Sequence, residues 1–246
     1  MASTIGIIAG TGFYSLPALA GSNPRKVSTV YGDALLTAGN WNGVPIEFVT
    51  RHGVDHSVPP SKVNYRANIQ ALKDLGVQKV LAVNVVGSVD PKLAAGDLQI
   101  ITDFIDFTSG RENTFFDGVQ PGGVQHIDVV DAYDKEIGKI LTDSGKELGI
   151  EVKQNGVYAG FNGPRFETPA EIRLAALAGA TVVGMTGCPE ATLACEAGLR
   201  YAAIALSVNP AAGVSDQKIT MEDISAVLKS SAQKIIDIFD KAITRI

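Results

Sequence analysis

Ile5-Gly6-Ile7-Ile8-Ala9-Gly10-Thr11-Gly12 is a short apolar run that ends in a glycine turn. A run of that length, apolar throughout and bounded by glycines, reads as a strand buried on both faces, the pattern of a layered α/β sheet. With Thr4 included, the strand spans Thr4 to Ala9, and further short β-branched runs, several of them apolar throughout, recur at Ile46 to Thr50, Lys79 to Asn84, Gln99 to Thr102, Thr181 to Met185 and Tyr201 to Val208. Helical patterns lie between them. Ser61, after Pro59 and Pro60, is expected to cap a helix that carries Ala67, Ala71 and Leu75 on one face and stops at Gly76. Thr168, Pro169 and Glu171 form a capping box with proline at the first helical position. Thr220 and Asp223 open a last helix whose Ile224, Val227, Leu228, Ile235, Ile238, Phe239 and Ala242 form one stripe for packing on a sheet. Strands alternating with helices, with no linker, repeat or low-complexity segment between them, predict one α/β domain over residues 1–246, a central mixed β-sheet flanked by helices. Arg111 to Gly123 reads as a long loop, the kind often used for function or for contacts between subunits.

Bulk properties narrow the function classes. The chain has 246 residues, 46% of them apolar, enough for a sizeable core. Its net charge of −5 argues against a nucleic-acid or anionic-membrane surface, which needs a clustered excess of Lys and Arg. Cys188 and Cys195, seven apart in a helical stretch of small residues, read as core residues and not as a disulfide framework or zinc cluster. The start has no basic and then apolar leader pattern, and no apolar run approaches about 18 residues, so a soluble cytoplasmic protein is expected.

Four motifs can carry chemistry. Gly10-Thr11-Gly12 sits at the carboxyl end of a strand, where α/β sheets bind ligands and small residues admit an anion to the backbone; a plain tight turn is the alternative. A dinucleotide fingerprint would need a third glycine where Ser15 stands, and Pro17 follows, which argues against a nicotinamide oxidoreductase. Arg51-His52-Gly53 offers an oxyanion clamp, or else a solvated arginine and a packed histidine. His52 and His56 are four apart, but beyond Asp55 no carboxylate offers a third ligand, so no metal is expected. Gly163-Pro164-Arg165-Phe166-Glu167-Thr168 sets an aromatic ring beside a carboxylate, suited to stacking on a flat heterocycle and accepting one of its N–H groups. Met185-Thr186-Gly187-Cys188-Pro189-Glu190 brings a hydroxyl to a helix N-terminus, where anions are favoured. Glu167 and Glu190 could each instead serve only to stabilise a first helical turn.

In order along the chain, Ile5 to Gly12, Arg51-His52-Gly53, Pro60 to Asn68, Gly87-Ser88, Gly163 to Glu167, Met185-Thr186 with Pro189-Glu190, and Leu206 to Asn209 resemble the trimeric purine nucleoside phosphorylase and methylthioadenosine phosphorylase family over nearly the whole length. The resemblance implies a transferase of purine salvage, a pentosyltransferase that takes a purine nucleoside and inorganic phosphate as co-substrate, with no cofactor, as a homotrimer. By the same resemblance Thr11, Arg51, His52 and Thr186 would hold phosphate, with backbone donors from Asn84 and Val85; Asn84 departs from the threonine of the methylthioadenosine branch. Met185 would lie under the ribose and Phe166 against the base. Glu167 and Asn209 would read the purine edge, and His126 would reach a neighbouring subunit's 5' pocket.

The methylthioadenosine branch reads adenine with an aspartate pair, where this chain has Asn209 and Ala211. Asn209 alone suits either base, because an amide both donates and accepts. Glu167 favours a 6-oxopurine: a carboxylate accepts N1–H of hypoxanthine but opposes the lone pair of adenine N1, and an unmatched buried group costs about 1–3 kcal/mol. After Asn209 come Ile219, Met221 and Ile224 and no histidine, an apolar lining that suits a methylthio group; that Met221 and Ile224 are ordinary core of the last helix is the alternative. The combination points to 5'-methylthioinosine, as in the bacterial branch that acts on it. Adenine release from methylthioadenosine and general inosine or guanosine phosphorolysis are the enzymatic rivals, and a nucleotide-binding module without turnover the rival of another class.

Overall fold

The computed structural model describes residues 4–10, 12–13, 16–53, 57–119, 122–216 and 218–246. Among the described residues nine strands join in one mixed sheet: β1 (Ile5–Ala9), β2 (Arg25–Thr29), β3 (Gly32–Trp41), β4 (Val44–Thr50), β5 (Lys79–Ser88), β6 (Leu98–Asp106), β7 (Val152–Gly160), β8 (Val182–Gly184) and β9 (Arg200–Pro210). Strand β1 lies between β4 and β5, parallel to both. On the outer side β2, β3 and β4 form an antiparallel meander, turned at Asn42-Gly43, where both residues take positive φ as a tight hairpin requires. On the inner side β5 pairs with β9 along its whole length and with β8 at its end. The order β5, β9, β6, β7, β8 therefore closes on itself.

Alternation decides which face each side chain serves. Val80, Ala82, Tyr201, Ala203 and Ala205 enter one core, with α1 (Tyr65–Asp74) and α4 (Gly187–Glu196). Their neighbours Leu81, Val83, Ala202, Ile204 and Leu206 enter the other, with α2 (Lys135–Glu147) and α5 (Met221–Ala242). Helices on both faces explain why β1, β5 and β9 are almost wholly buried and largely apolar. A third cluster seats α3 (Pro169–Leu177) through Ile172 and Ala175.

The expected stripe on α5 is real: Ile224, Leu228, Ile235, Ile238, Phe239 and Ala242 are buried and Val227 packs partly against them. Both capping motifs form, the complete box at Thr168 and Glu171 and the Thr220 cap accepting from the Asp223 amide. The cap of α1 is a correction. Asn64, not Ser61, accepts from the Ala67 amide, because Pro60–Lys62 forms a separate turn first. Leu75 ends that helix half-exposed, and Gly76 follows at φ +77°. Cys188 is buried, whereas Cys195 is only partly so.

Candidate active site

A cavity of about 420 Å³ opens where the carboxyl ends of β1, β4, β5 and β9 meet the segments that leave β7 and β8. Among the described residues it brings together Gly10, Arg51, His52 and Thr186 with Phe166, Glu167 and Asn209. The position agrees with the rule that α/β sheets hold ligands beyond the carboxyl ends of their strands.

The cationic part comes from the end of β4. Arg51 is buried and donates from Nε and Nη2 to the two carboxylate oxygens of Glu190, at 2.6 and 2.7 Å, and from Nη1 to the Val83 carbonyl at 2.6 Å. Tyr201 adds its hydroxyl to Glu190 at 2.8 Å. Burial by itself lowers the arginine's pKa, but the Glu190 charge and hydrogen bonds more than offset it and hold the guanidinium above its ordinary value. Arg51 is thus a fixed cation: three of its five N–H bonds are committed, and two, one on each terminal nitrogen, remain for a ligand. His52 Nδ1 lies 2.8 Å from the Val58 carbonyl. A carbonyl only accepts, so Nδ1 carries the hydrogen and the ring's orientation is set by the backbone. A methyl at Gly10 would come within 3.0 Å of His52 Cδ2, so glycine is what lets the imidazole lie against the end of β1.

Thr186 is the N-cap residue of α4, at the helix N-terminus where the sequence places it. The amides of Thr186 and Gly187 both donate to the Tyr158 hydroxyl at 3.0 Å, and Pro189 has no N–H, so none of these three positions aims a free amide at an anion. Gly184 and Gly187 make room for the Tyr158 ring, which a side chain at either position would strike. What Thr186 offers the cavity is its hydroxyl, 3.4 Å from Asn84 Nδ2. Asn84 itself is buried and does not line the cavity, whereas Val85 does.

The polar reading edge comes from the loop after β7 and from β9. Glu167 is buried immediately before the α3 cap, and its Oε1 has no hydrogen-bond partner among the described residues. Burial raises its pKa above the ordinary carboxylate value. Phe166 beside it is 41% exposed, available as a flat apolar face. A register shift opposite Val86 and Gly87 leaves Val208 as an extra residue in β9, so Val208 and Asn209 both line the cavity, as a bulge beside a site allows. Asn209 Nδ2 donates to the Pro210 carbonyl at 2.7 Å, which leaves its Oδ1 and a second N–H. A methyl on Gly87 would sit 3.4 Å from that nitrogen. Met185 also lines the cavity, and Gly163 accommodates it, since a Cβ there would be 2.3 Å from the sulfur.

Ile219, Met221 and Ile224 complete the apolar wall. Ile224 serves the wall and the α5 core at once, while Met221 is 61% exposed. His126 is exposed and not part of the cavity of this chain. Thr11 lies outside the described residues, as do Asp55 and His56. No group of three or more His, Cys, Asp or Glu side chains able to hold a metal occurs among the described residues. The supports behind the site, Glu190 as the arginine's partner, Tyr158 near the end of β7 and Tyr201 at the start of β9, have only weak sequence signals, with nothing local to show what each meets.

Residues 4–244 match the family model described as Phosphorylase superfamily. A probable 6-oxopurine nucleoside phosphorylase of Moorella thermoacetica is 45% identical over 239 residues, which is 97% of this chain and 92% of that protein. A probable S-methyl-5'-thioinosine phosphorylase of Methanothermobacter thermautotrophicus is 42% identical over 242 residues, 97% of this chain and 83% of that protein. Among solved structures, methylthioadenosine phosphorylase from Schistosoma mansoni in complex with adenine superposes with a TM-score of 0.91 at 32% identity, covering 99% of this chain and 91% of that one.

Proposed function

Because this chain belongs to the phosphorylase superfamily, we propose that it is a single-domain purine nucleoside phosphorylase that cleaves 5'-methylthioinosine to hypoxanthine and 5-methylthioribose 1-phosphate, with inorganic phosphate as co-substrate and no metal. One observation carries the reading: a fixed cation, a histidine and a hydroxyl share a cavity with an unpartnered buried carboxylate and an amide. Phosphate at Arg51, His52, Thr186 and the Val85 backbone, with Thr11, would face the anomeric carbon. Glu167 would accept the purine N1–H, which supplies the partner its buried oxygen lacks. Asn209 would meet N7 and O6. The glycosidic bond loosens first, the sugar acquires oxocarbenium character, and phosphate captures C1' as the base departs. The phosphate dianion stabilises the cationic sugar, and Asn209 stabilises charge building on the leaving base.

The apolar side chains of Ile219, Met221 and Ile224 support a methylthio group at the 5' position, and His52 is the only histidine among the described lining residues. The enzyme would act as a cytoplasmic homotrimer, with His126 of one subunit reaching the next. No described helix is long and apolar enough to cross a membrane.

A second reading, phosphorolysis of inosine or guanosine, is favoured by the similarity to the Moorella thermoacetica protein. The test is product identification by absorbance and chromatography on methylthioinosine, methylthioadenosine, inosine and guanosine, each with and without phosphate. Phosphate-dependent hypoxanthine release fastest from methylthioinosine is expected. Preference for inosine would overturn the sugar reading and faster adenine release the base reading. Binding without turnover of any of the four would refute the enzyme itself.

A further inference from the structure

Arg111 lies in the long segment between β6 and α2, outside the lining of the cavity. Its guanidinium donates from Nη1 to the Cys188 carbonyl at 2.6 Å and to the Tyr65 hydroxyl at 3.2 Å, and from Nη2 to the carbonyls of Phe161 and Asn162 at 3.2 and 3.0 Å. It lies over the Tyr65 ring, 5.5 Å from the centroid. The Tyr65 hydroxyl in turn donates to the Pro60 carbonyl at 2.9 Å, and Pro60 lines the cavity. Three of the acceptors stand on two segments that build the cavity, the junction that carries Met185 and Thr186 and the loop that leads to Phe166 and Glu167, and the fourth, Tyr65 at the start of α1, connects to a third, the stretch from Ser57 to Pro60.

The chemistry of these contacts is specific to a planar fork. None of the recorded hydrogen-bond partners is a carboxylate; three are neutral backbone carbonyls and one a phenol. A half-buried guanidinium spanning several carbonyls at once is acting as a multidentate clasp more than as an ion-pair partner. The loop it grips has its own tie, since the Asn162 side chain bonds the Ser109 backbone in both directions. Past Arg111 the loop is anchored by Glu196, which accepts from Thr114 Oγ1 and the Phe115 amide at 2.6 Å each. Arg111 is therefore held from its own side while it joins the other three.

We propose that Arg111 is a positioning residue that sets the phosphate-side junction and the base-reading loop at a fixed spacing, without touching either substrate. The kinetic part rests on the phosphorylase reading above, while the structural part does not. Displacing groups by an ångström can cost about a hundredfold in rate. In Arg111→Ala, kcat/KM should fall about a hundredfold for phosphate and for nucleoside alike. Arg111→Lys keeps a cation but reaches one carbonyl at a time, and it should recover only part of that loss.

The test pairs these kinetics with amide hydrogen exchange on the ligand-free protein. Faster exchange in Arg111→Ala confined to residues 161–168 and 185–191, with β2, β3 and α5 unchanged, is the expected result. Wild-type kinetics in Arg111→Lys, or unchanged protection of both segments, would overturn the proposal. Should Arg111→Ala fail to fold, Arg111→Lys decides on both measurements. If the wild type cleaves no purine nucleoside, the functional reading fails, and the exchange data still decide the role of Arg111.

Discussion

Two buried carboxylates serve the cavity from opposite positions. Glu190 stands behind it, with both oxygens taken by Arg51 and one of them also by Tyr201. Glu167 stands at its wall with Oε1 unpartnered. In sequence the two are near equivalents, each next to a proline or one residue away from one, at a junction leading into a helix. The contrast shows that burial alone does not assign a role. A carboxylate whose partners are all internal fixes a structure, whereas one buried with an oxygen left over is a cost that a ligand can relieve.

The largest effect should come from breaking the satisfied member. Glu190→Ala strands the Arg51 charge in a buried site, and loss of one partner of such a pair typically costs about 3–5 kcal/mol, readable by denaturant titration. A loss under about 1 kcal/mol would mean that water reaches Arg51 freely. At the wall, Asn209→Asp should lower kcat on the 6-oxopurine substrate by about 10²–10³, the effect of losing one donor to a developing negative charge. Unchanged hypoxanthine release would remove Asn209 from the leaving-group contact.

Glu167→Gln sharpens the comparison further, because it should separate activity from stability. Activity on a 6-oxopurine should fall about tenfold to a hundredfold, for loss of about 1–3 kcal/mol of matched hydrogen bonding. Stability should move the other way. The folded-state pKa of Glu167 is raised by burial, so ionisation opposes folding: the penalty is absent below the unfolded carboxylate value and complete once pH exceeds the raised folded value. Wild type should therefore lose stability relative to the variant as pH rises through that window. In kcat/KM the same shift should give wild type an acid limb above the ordinary carboxylate range. Glu167→Gln should lack that limb, while the second ionisation of phosphate remains common to both proteins. The smallest effect is expected at Thr220→Ala, which removes the α5 cap for about 1 kcal/mol, or a Tm lower by about 2–4 °C in a chain of this size. A rise in nucleoside KM should accompany it, because Ile219, Met221 and Ile224 flank the cap.

The strands that were legible are those with strong local signals. β1, β4, β5, β6, β8 and β9 are apolar runs, although β5 and β6 extend several residues beyond them and β8 is shorter than its run. β2, β3 and β7 alternate with polar residues or carry Gly and Asn, as in Lys153-Gln154-Asn155-Gly156, and β7 pairs with a strand more than fifty residues away. α2 has a clear cap at Asp134 and Gly149 directly after its C-cap, but no proline or glycine just ahead of it to announce its start.

For the site, sequence alone determined the chemical parts: a glycine turn after β1, Arg51 and His52 after β4, Phe166 and Glu167 before α3, Met185 and Thr186 after β8, and Asn209 near the end of β9. These are local facts, since each motif sits at the end of an element that its own neighbours specify. Tertiary structure decided how the parts are used. The pairing of Arg51 with Glu190 spans 139 residues, the Tyr158 contact with the Thr186 amide spans 28, and the Arg111 bond to Cys188 spans 77. Such contacts exist only once the sheet has closed and brought the strand ends together, because their free energy depends on burial that no local stretch of chain can supply.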